Sequence, residues 1–231
     1  MKRSDPTLDS AKRNAAARAV AAVEDKMVLG LGSGSTAAMA LELLARRIAQ
    51  GLNVTGIPTS ERTAALARRL GIPLTDFESH RRIDLTIDGA DQIEQLSLNL
   101  IKGLGGALLR EKIVARASSR FVIVADHTKL VPQLGSATPL PVEIVPFGWQ
   151  TVVLRLQELG CACELRLAAG TAFVTDNGNY IADCSFQAIP DAAALEASLL
   201  RIAGVIETGL FVGMAAQAIL GSAEGVTVLD R

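Results

Sequence analysis

Short strand patterns alternate with helix-length segments over the first two-thirds of the chain, and this alternation restricts the possible folds more than any other feature. The strand patterns lie at residues 27–31, 53–57, 83–87 and 121–125; the first and the last are apolar, and the third is short and β-branched. Between them lie helical patterns of about 10–15 residues, which join neighbouring strands as β-α-β units with parallel pairing. The sequence therefore predicts an α/β fold, with an open, mostly parallel sheet flanked by helices in a Rossmann-like arrangement.

The pattern changes after the fourth strand. Four prolines fall within residues 132–146, and beyond them Asn177-Gly178 separates two strand patterns, which is typical of a hairpin turn. The order of patterns there is β-α-β-β-α-β, which predicts a smaller α+β subdomain of the split-βαβ, ferredoxin-like type. We therefore expect a larger α/β domain and a smaller subdomain, with the bounds 1–132 and 207–231 for the first and 133–206 for the second.

Charge and hydropathy argue against several classes of partner. Lys and Arg total 23 against 24 for Asp and Glu, a net charge of −1, which argues against a nucleic-acid-binding surface. No apolar run reaches the roughly 18 residues of a membrane span, and none near the start has the length of a secretory leader. Three cysteines and two histidines form neither a disulfide framework nor a zinc-ligand pattern. We expect a cytoplasmic protein that binds neither membrane, nucleic acid nor metal.

A turn of small residues, Gly32-Ser-Gly-Ser-Thr36, lies between the first apolar run and the next helical pattern. Backbone N–H groups at a helix N-terminus, together with serine and threonine hydroxyls, can bind a phosphate. The same residues could instead form a tight turn with an ordinary helix cap. The spacing matches neither the P-loop nor the dinucleotide-binding pattern, so the turn does not imply a nucleotide.

Ionisable residues follow the later strand patterns. Asp88 and Asp91 come at the carboxyl end of the third strand, where open parallel sheets bind ligands, and could hold sugar hydroxyls, a metal or a proton. One could instead cap a turn while the other is solvated. Lys102 precedes a Gly-rich turn, and Glu111 follows on or next to an apolar helix face, as a general base or as a solvated, paired charge. Lys129, after the fourth strand, could reach an anion.

Six segments of the chain form a recognisable set. In chain order they are GLGSGSTA (30–37), TIDGADQIE (86–94), IKGLGGALLREK (101–112), VADHTKLV (124–131), PLPVEIVPF (139–147) and VTDNGN (174–179). The set resembles the type A ribose-5-phosphate isomerases, in family order and over nearly the whole chain. The resemblance implies a cofactor-independent aldose–ketose isomerase that interconverts ribose 5-phosphate and ribulose 5-phosphate in the non-oxidative pentose phosphate pathway, with its catalytic site in the larger domain.

The resemblance also implies roles for particular residues. Glu111 matches the glutamate of the family's R-E-K triplet, which is the proton acceptor, and Lys102 begins its K-G-G-G segment. Asp88 and Asp91 match the ends of its D-G-A-D substrate loop, and Lys129 matches a substrate-binding lysine. Glu111, Lys102 and the two aspartates are thus the implied catalytic residues. The other implied substrate-binding positions are Ser33, Gly34, Ser35, Thr36, Gly89, Ala90, Gly103, Leu104 and Gly105.

Two residues depart from the family pattern. Gln92 stands where an acidic residue is usual after D-G-A-D, and Leu104 replaces the middle glycine of K-G-G-G. A leucine there puts a close approach of the backbone to the substrate in question.

Two other functions stay open beside the isomerase. One is a non-catalytic sugar-phosphate sensor, which would need a DNA-binding head that the single Ala-rich helix pattern before the first strand does not supply. The other is an acyl-CoA transferase-like enzyme with a glutamate nucleophile. The family resemblance further implies a homo-oligomer, either a dimer or a tetramer, whose partner molecule is a small sugar phosphate.

Overall fold

The computed structural model describes residues 6–231 of the chain. The chain forms two compact units. The first takes the residues up to Ala90, then Arg110–Lys129 and Met214–Arg231; the second takes Asp91–Leu109 and Leu130–Gly213.

The bounds of the regular elements are as follows. The helices are α1 (Pro6–Val20), α2 (Ser35–Ala49), α3 (Glu61–Arg69), α4 (Leu108–Arg116), α5 (Trp149–Gln157) and α6 (Ala192–Leu199), with a short 3₁₀ helix at His127–Lys129. The strands up to the hairpin region are β1 (Val28–Leu31), β2 (Thr55–Pro58), β3 (Ile83–Asp88), β4 (Gln92–Glu94), β5 (Leu100–Ile101), β6 (Ser118–Asp126), β7 (Leu130–Val131), β8 (Leu140–Ile144), β9 (Ala162–Leu165), β10 (Leu167–Ala168) and β11 (Thr171–Ala172). The later strands are β12 (Tyr180–Ser185), β13 (Val205–Thr208), β14 (Leu210–Phe211), β15 (Gln217–Gly221) and β16 (Val226–Asp230).

The first unit is built on a six-stranded sheet in the order β16-β15-β6-β3-β1-β2. All neighbours pair in parallel except the edge strand β16, which is antiparallel to β15. Its apolar core combines small alanines of α1, such as Ala15 and Ala19, with larger side chains such as Leu41 of α2 and Leu85 and Val124 of the sheet. The predicted α/β fold with an open, mostly parallel sheet is confirmed.

The second unit contains a four-stranded antiparallel sheet in the order β13-β8-β12-β9. Helices α5 and α6 contribute Val152, Leu156 and Leu199 to the core beneath it. The strands of this sheet and the two helices follow one another in the order β8-α5-β9-β12-α6-β13, which is the split-βαβ order predicted from the sequence, with the separate pair β10-β11 between β9 and β12. A second sheet, β14-β5-β4-β7, belongs to the same unit.

Two details differ from the sequence expectations. The Asn177-Gly178 turn forms, but the segment before it contributes only a single bridge, Val174 to Tyr180, because β11 pairs with β10 instead. Residues 91–109 belong to the second unit, since β4 and β5 pair with β7 and β14, whereas the sequence assigned them to the larger domain. The division into two domains itself stays a prediction.

Within residues 6–231, no helix combines the length and the apolar character that crossing a membrane requires.

Candidate active site

The turn after β1 is fixed by side chains of its own unit. The backbone N–H of Ser33 donates to Oδ1 of Asp88 at 2.9 Å. The buried Ser33 hydroxyl lies 2.8–3.0 Å from the hydroxyls of Thr59, Ser60 and Thr63. Ser33 is therefore engaged with protein groups on both its N–H and its hydroxyl, and its contribution to the site is to hold the turn in place.

The neighbouring turn residues have different surroundings, and only Gly34 and Ser35 among them are exposed. A Cβ on Gly32 would lie 2.3 Å from Oδ1 of Asp88, so the strands β1 and β3 approach too closely there for any side chain. Gly34 has a φ of +95°, a conformation that glycine adopts without strain. Ser35 is exposed and begins α2, while Thr36 is buried.

Gly34 and Ser35 line a pocket of about 470 Å³ within the first unit. Two exposed arginines of α3, Arg62 and Arg69, line the same pocket. Neither arginine was predicted as a site residue, although a pair of arginines seven residues apart on one helix was the available signal in the sequence. Their positive charge and the N-terminal end of α2 favour an anion at this pocket.

Asp88 is completely buried at the carboxyl end of β3. Its Oδ1 accepts from the N–H of Gly89 at 2.7 Å, in addition to the N–H of Ser33. In the structure this carboxylate holds the backbone of the turn after β1 and of its own C-terminal neighbour, Gly89. Gly89 and Ala90 follow it, half-buried, and Lys129 ends the 3₁₀ helix after β6, also half-buried. Because β1, β3 and β6 are parallel neighbours, these residues lie at one edge of the sheet.

Asp91 and the Gly-rich segment after Lys102 lie together in the second unit. The N–H of Leu104 donates to Oδ2 of Asp91 at 3.0 Å. Gly103 has a φ of +105°, and a Cβ there would lie 2.8 Å from the Leu108 side chain, so both conformation and space require glycine. Leu104 is outside the left-handed φ region and the residue is 40% exposed, so the loop accommodates the leucine that replaces the family's glycine.

Lys102 itself is buried, with 2% of its surface exposed. Its N–H donates to the carbonyl of Gly209 at 2.9 Å, and its Nζ lies 5.5 Å from the centre of the buried Phe211 ring. The face of an aromatic ring attracts an ammonium group, which offsets part of the cost of burying this charge. No sequence pattern linked Gly209 and Phe211 to Lys102, because they follow it by more than 100 residues.

Glu111 is 5% exposed in the first turn of α4. This burial contradicts the alternative of a solvated helix charge. The N-terminal end of a helix favours a negative charge, so the position suits a carboxylate that must be ionised in order to accept a proton. The preceding Arg110 instead donates to Glu61 of α3 at 2.8 Å, an exposed pair in the first unit.

The expectation that the protein uses no metal or other cofactor stays a prediction. Over residues 6–231, no group of three or more His, Cys, Asp or Glu side chains has the arrangement that could hold a metal ion.

Comparison with known proteins identifies the family. The family model for ribose 5-phosphate isomerase A (phosphoriboisomerase A) matches residues 55–225. The chain belongs to this family. A ribose-5-phosphate isomerase A from Gloeobacter violaceus is 57% identical over 222 residues, which cover 96% of each chain. The family resemblance inferred from the six sequence segments is therefore confirmed.

Solved structures of ribose-5-phosphate isomerases agree with this assignment. The isomerase A from Methanocaldococcus jannaschii superposes with a TM-score of 0.92 at 40% identity, covering 95% of this chain and 98% of that one. A D-ribose-5-phosphate isomerase in complex with phospho-erythronic acid gives a TM-score of 0.94 at 38% identity, covering 97% and 99%. These matches favour neither a sensor nor an acyl-CoA transferase.

Proposed function

We propose that this chain interconverts ribose 5-phosphate and ribulose 5-phosphate by moving a proton between C2 and C1 through an enediolate. The observation that carries the proposal is the 57% identity to a ribose-5-phosphate isomerase A over 96% of both chains. Phospho-erythronic acid, which a relative binds, is a phosphorylated four-carbon acid. Its carboxylate resembles the charge distribution of such an enediolate, so the same ligand class suits this chain.

Glu111 is the base that takes and returns the proton. It occupies the position of the glutamate in the R-E-K triplet, and it is buried in the first turn of α4. One carboxylate can serve both carbons, because C1 and C2 are adjacent and the proton leaves one to reach the other. A positioned base of this kind contributes roughly 10²–10⁴-fold to the rate.

Lys102 stabilises the negative charge that develops on the enediolate oxygens. Its ammonium group is buried, and a charge acts more strongly in a site that excludes water than at the surface. The backbone N–H of Gly105, in the Gly-rich segment after Lys102, assists it.

The remaining site residues bind and orient the sugar phosphate. Asp88 and Asp91 orient hydroxyls and assist opening of the furanose ring, and they also hold the backbone of the loops around them. The phosphate is bound by Ser35, Thr36 and Lys129, at the edge of the first unit's sheet. Binding this remote group supplies energy for orientation at C1 and C2.

The decisive experiment measures ribulose 5-phosphate formation from ribose 5-phosphate by the purified protein in EDTA. We expect activity in the wild type, a loss of about 10²–10⁴-fold in kcat for Glu111→Gln, and full activity for the matched control Glu224→Gln, an exposed glutamate between β15 and β16. Substrate affinity of Glu111→Gln should stay within about tenfold. An inactive wild type would contradict the function, and an active Glu111→Gln would contradict the base.

A second variant tests the phosphate contact. Ser35→Ala should raise KM for ribose 5-phosphate with little change in kcat, because it removes a contact made equally in substrate and transition state. An unchanged KM would place the phosphate elsewhere.

We also propose that the protein is cytoplasmic and forms a homo-oligomer, either a dimer or a tetramer. Light scattering coupled to size-exclusion chromatography measures the assembly, and a mass near 24.2 kDa would contradict it.

A further inference from the structure

We propose that Arg166 is a positioning residue for this reaction, because it sets the orientation of the peptide groups that follow Lys102. The inference rests on the proposed function, which gives the segment Gly103–Gly105 its role beside the enediolate.

The guanidinium group of Arg166 holds two consecutive carbonyls of that segment. Its Nη1 donates to the carbonyl oxygens of Gly103 and Leu104, each at 3.0 Å. All three residues belong to the second unit. No local sequence pattern indicates these contacts, because Arg166 lies 63 residues after Gly103 and 62 residues after Leu104.

An ion pair with Asp183 holds the guanidinium group in place. Its Nε donates to Oδ2 of Asp183 at 2.8 Å and its Nη2 donates to Oδ1, so the ion pair is bidentate. Asp183 lies in β12, and the backbone N–H of Arg166 donates to Ile181 of the same strand at 2.8 Å. The Arg166 side chain is only 13% exposed. A rigid sheet thus supports the group that holds the loop.

Phe173 completes this support. Its ring centre lies 5.8 Å from the Arg166 guanidinium carbon, and its ring fills the position that a Cβ on Gly106 would take, at 2.4 Å. The N–H of Phe173 donates to the carbonyl of Arg166 at 2.9 Å. The same pair of side chains therefore contacts the loop at Gly103, Leu104 and Gly106.

The orientation of the carbonyls determines where the N–H groups point. In a trans peptide the C=O and the N–H lie on opposite sides. The Gly103 carbonyl accepts from Arg166 and from the Gly106 N–H at 2.9 Å, and the Leu104 N–H on the other side of that peptide donates to Asp91. By the same geometry, the Leu104 carbonyl on Arg166 directs the Gly105 N–H away from the guanidinium group.

The side of the loop opposite Arg166 is the side of the proposed substrate site, because Asp91 lies there. A backbone N–H that is oriented before the reaction stabilises a developing oxyanion without reorganisation in the transition state. Arg166 therefore supports kcat through the peptide groups it orients, with the Gly105 N–H as the donor toward the oxyanion.

The test compares Arg166→Lys and Asp183→Asn with the control Arg155→Lys. Lysine keeps the charge but cannot hold two carbonyls and a carboxylate with one planar group. Asp183→Asn leaves Arg166 in place and weakens its support. Arg155 is an exposed arginine of α5 in the same unit, paired with Glu158, and its substitution should leave kinetics unchanged.

We expect Arg166→Lys to lower kcat by roughly 10²-fold, measured well below its melting temperature, with a much smaller change in KM. Asp183→Asn should lower kcat less. Affinity for phospho-erythronic acid, which carries a carboxylate, should fall in parallel with kcat. If Arg166→Lys does not fold, Asp183→Asn carries the test alone.

The outcomes separate this inference from the function it rests on. A folded Arg166→Lys protein with wild-type kcat and wild-type affinity for phospho-erythronic acid would overturn the inference, even if its melting temperature falls. In that case an active wild type and an inactive Glu111→Gln would leave the proposed function intact. An inactive wild type would overturn both.

Discussion

The backbone N–H of Ser33 donates to the carboxylate of Asp88, which joins the turn after β1 to the carboxyl end of β3. The same carboxylate oxygen accepts from Gly89, so one buried acidic side chain sets the backbone on both sides of the edge where the substrate is proposed to bind. Asp88 therefore has a structural role at this edge in addition to its proposed role in orienting substrate hydroxyls.

Removing this carboxylate should destabilise the first unit. Asp88→Ala leaves the N–H groups of Ser33 and Gly89 without their acceptor, and we expect a loss of about 2–4 kcal/mol in unfolding free energy, measured with urea. Asp88→Asn keeps an acceptor oxygen and should lose less. The control is Asp84→Ala on the same strand, where the exposed Asp84 accepts from Val28 and should cost under about 1 kcal/mol. Equal losses for both alanine variants would contradict the role of Asp88.

We expect that any side chain at Gly209 would displace Lys102. Its N–H donates to Pro141 at 2.7 Å and its carbonyl accepts from Lys102, so a Cβ there would lie 2.3 Å from the Lys102 carbonyl oxygen. Gly209→Ala should therefore shift Lys102 and lower kcat by roughly tenfold or more. Gly160→Ala, with a φ of +87° and no atom within 4 Å of the new Cβ, carries backbone strain alone. A steady-state assay in which both variants keep wild-type kcat would contradict the prediction.

The buried Glu143 should be a major source of stability in the second unit. Its Oε1 accepts from the side chains of Thr175, Asn177 and Asn179, at 2.9, 3.2 and 2.9 Å, and so holds the turn before β12. Glu143→Ala removes this acceptor and opens a cavity, and we expect a loss of about 2–4 kcal/mol in chemical denaturation. Glu164→Ala, at an exposed position on β9, should change stability by under about 0.5 kcal/mol. Similar values for the two variants would show that the three hydrogen bonds contribute little.

The ion pair between Glu61 and Arg110 should lower the pKa of Glu61, and a titration can measure this. The hydrogen bond from Arg110, and then its charge, hold the pKa of Glu61 below the ordinary value of 4.5. Because the folded pKa is the lower one, the pair contributes stability above about pH 4.5 and loses it as pH falls through the folded pKa. Arg110→Gln should raise the pKa of Glu61 toward 4.5, measured by NMR of its carboxyl carbon. Arg155→Gln should leave that pKa alone, and an unmoved pKa in Arg110→Gln would contradict the assignment.

Much of the fold followed from local patterns. The strand patterns at 83–87 and 121–125 lie in β3 and β6. Residues 121–125 are continuously apolar, as is typical of a strand buried on both faces of a parallel sheet, whereas residues 83–87 combine β-branched side chains with the exposed Asp84. The strand expected before Asn177-Gly178 forms only in part, as β11 and the single bridge from Val174 to Tyr180. The turn signal is local, but the pairing of β11 with β10 depends on contacts that a single segment does not encode.

The candidate site divides in the same way. Its residue types and order were visible in the chain, and they sufficed for the family resemblance. The burial of Glu111 was not decided by its helical position, since the edge of an apolar face fits a solvated or a buried carboxylate equally well. The support of the Lys102 loop by Arg166 had no local signal at all.

By itself, the sequence determined the class of fold, the turns with their glycines and the family, because strand, helix and turn preferences act between near neighbours. Only the tertiary structure decided that Asp88 and Asp91 accept backbone N–H groups, and that Arg166 holds the carbonyls of Gly103 and Leu104. The physical reason is the short range of the hydrogen bond. It forms only where folding brings distant segments to within about 3 Å.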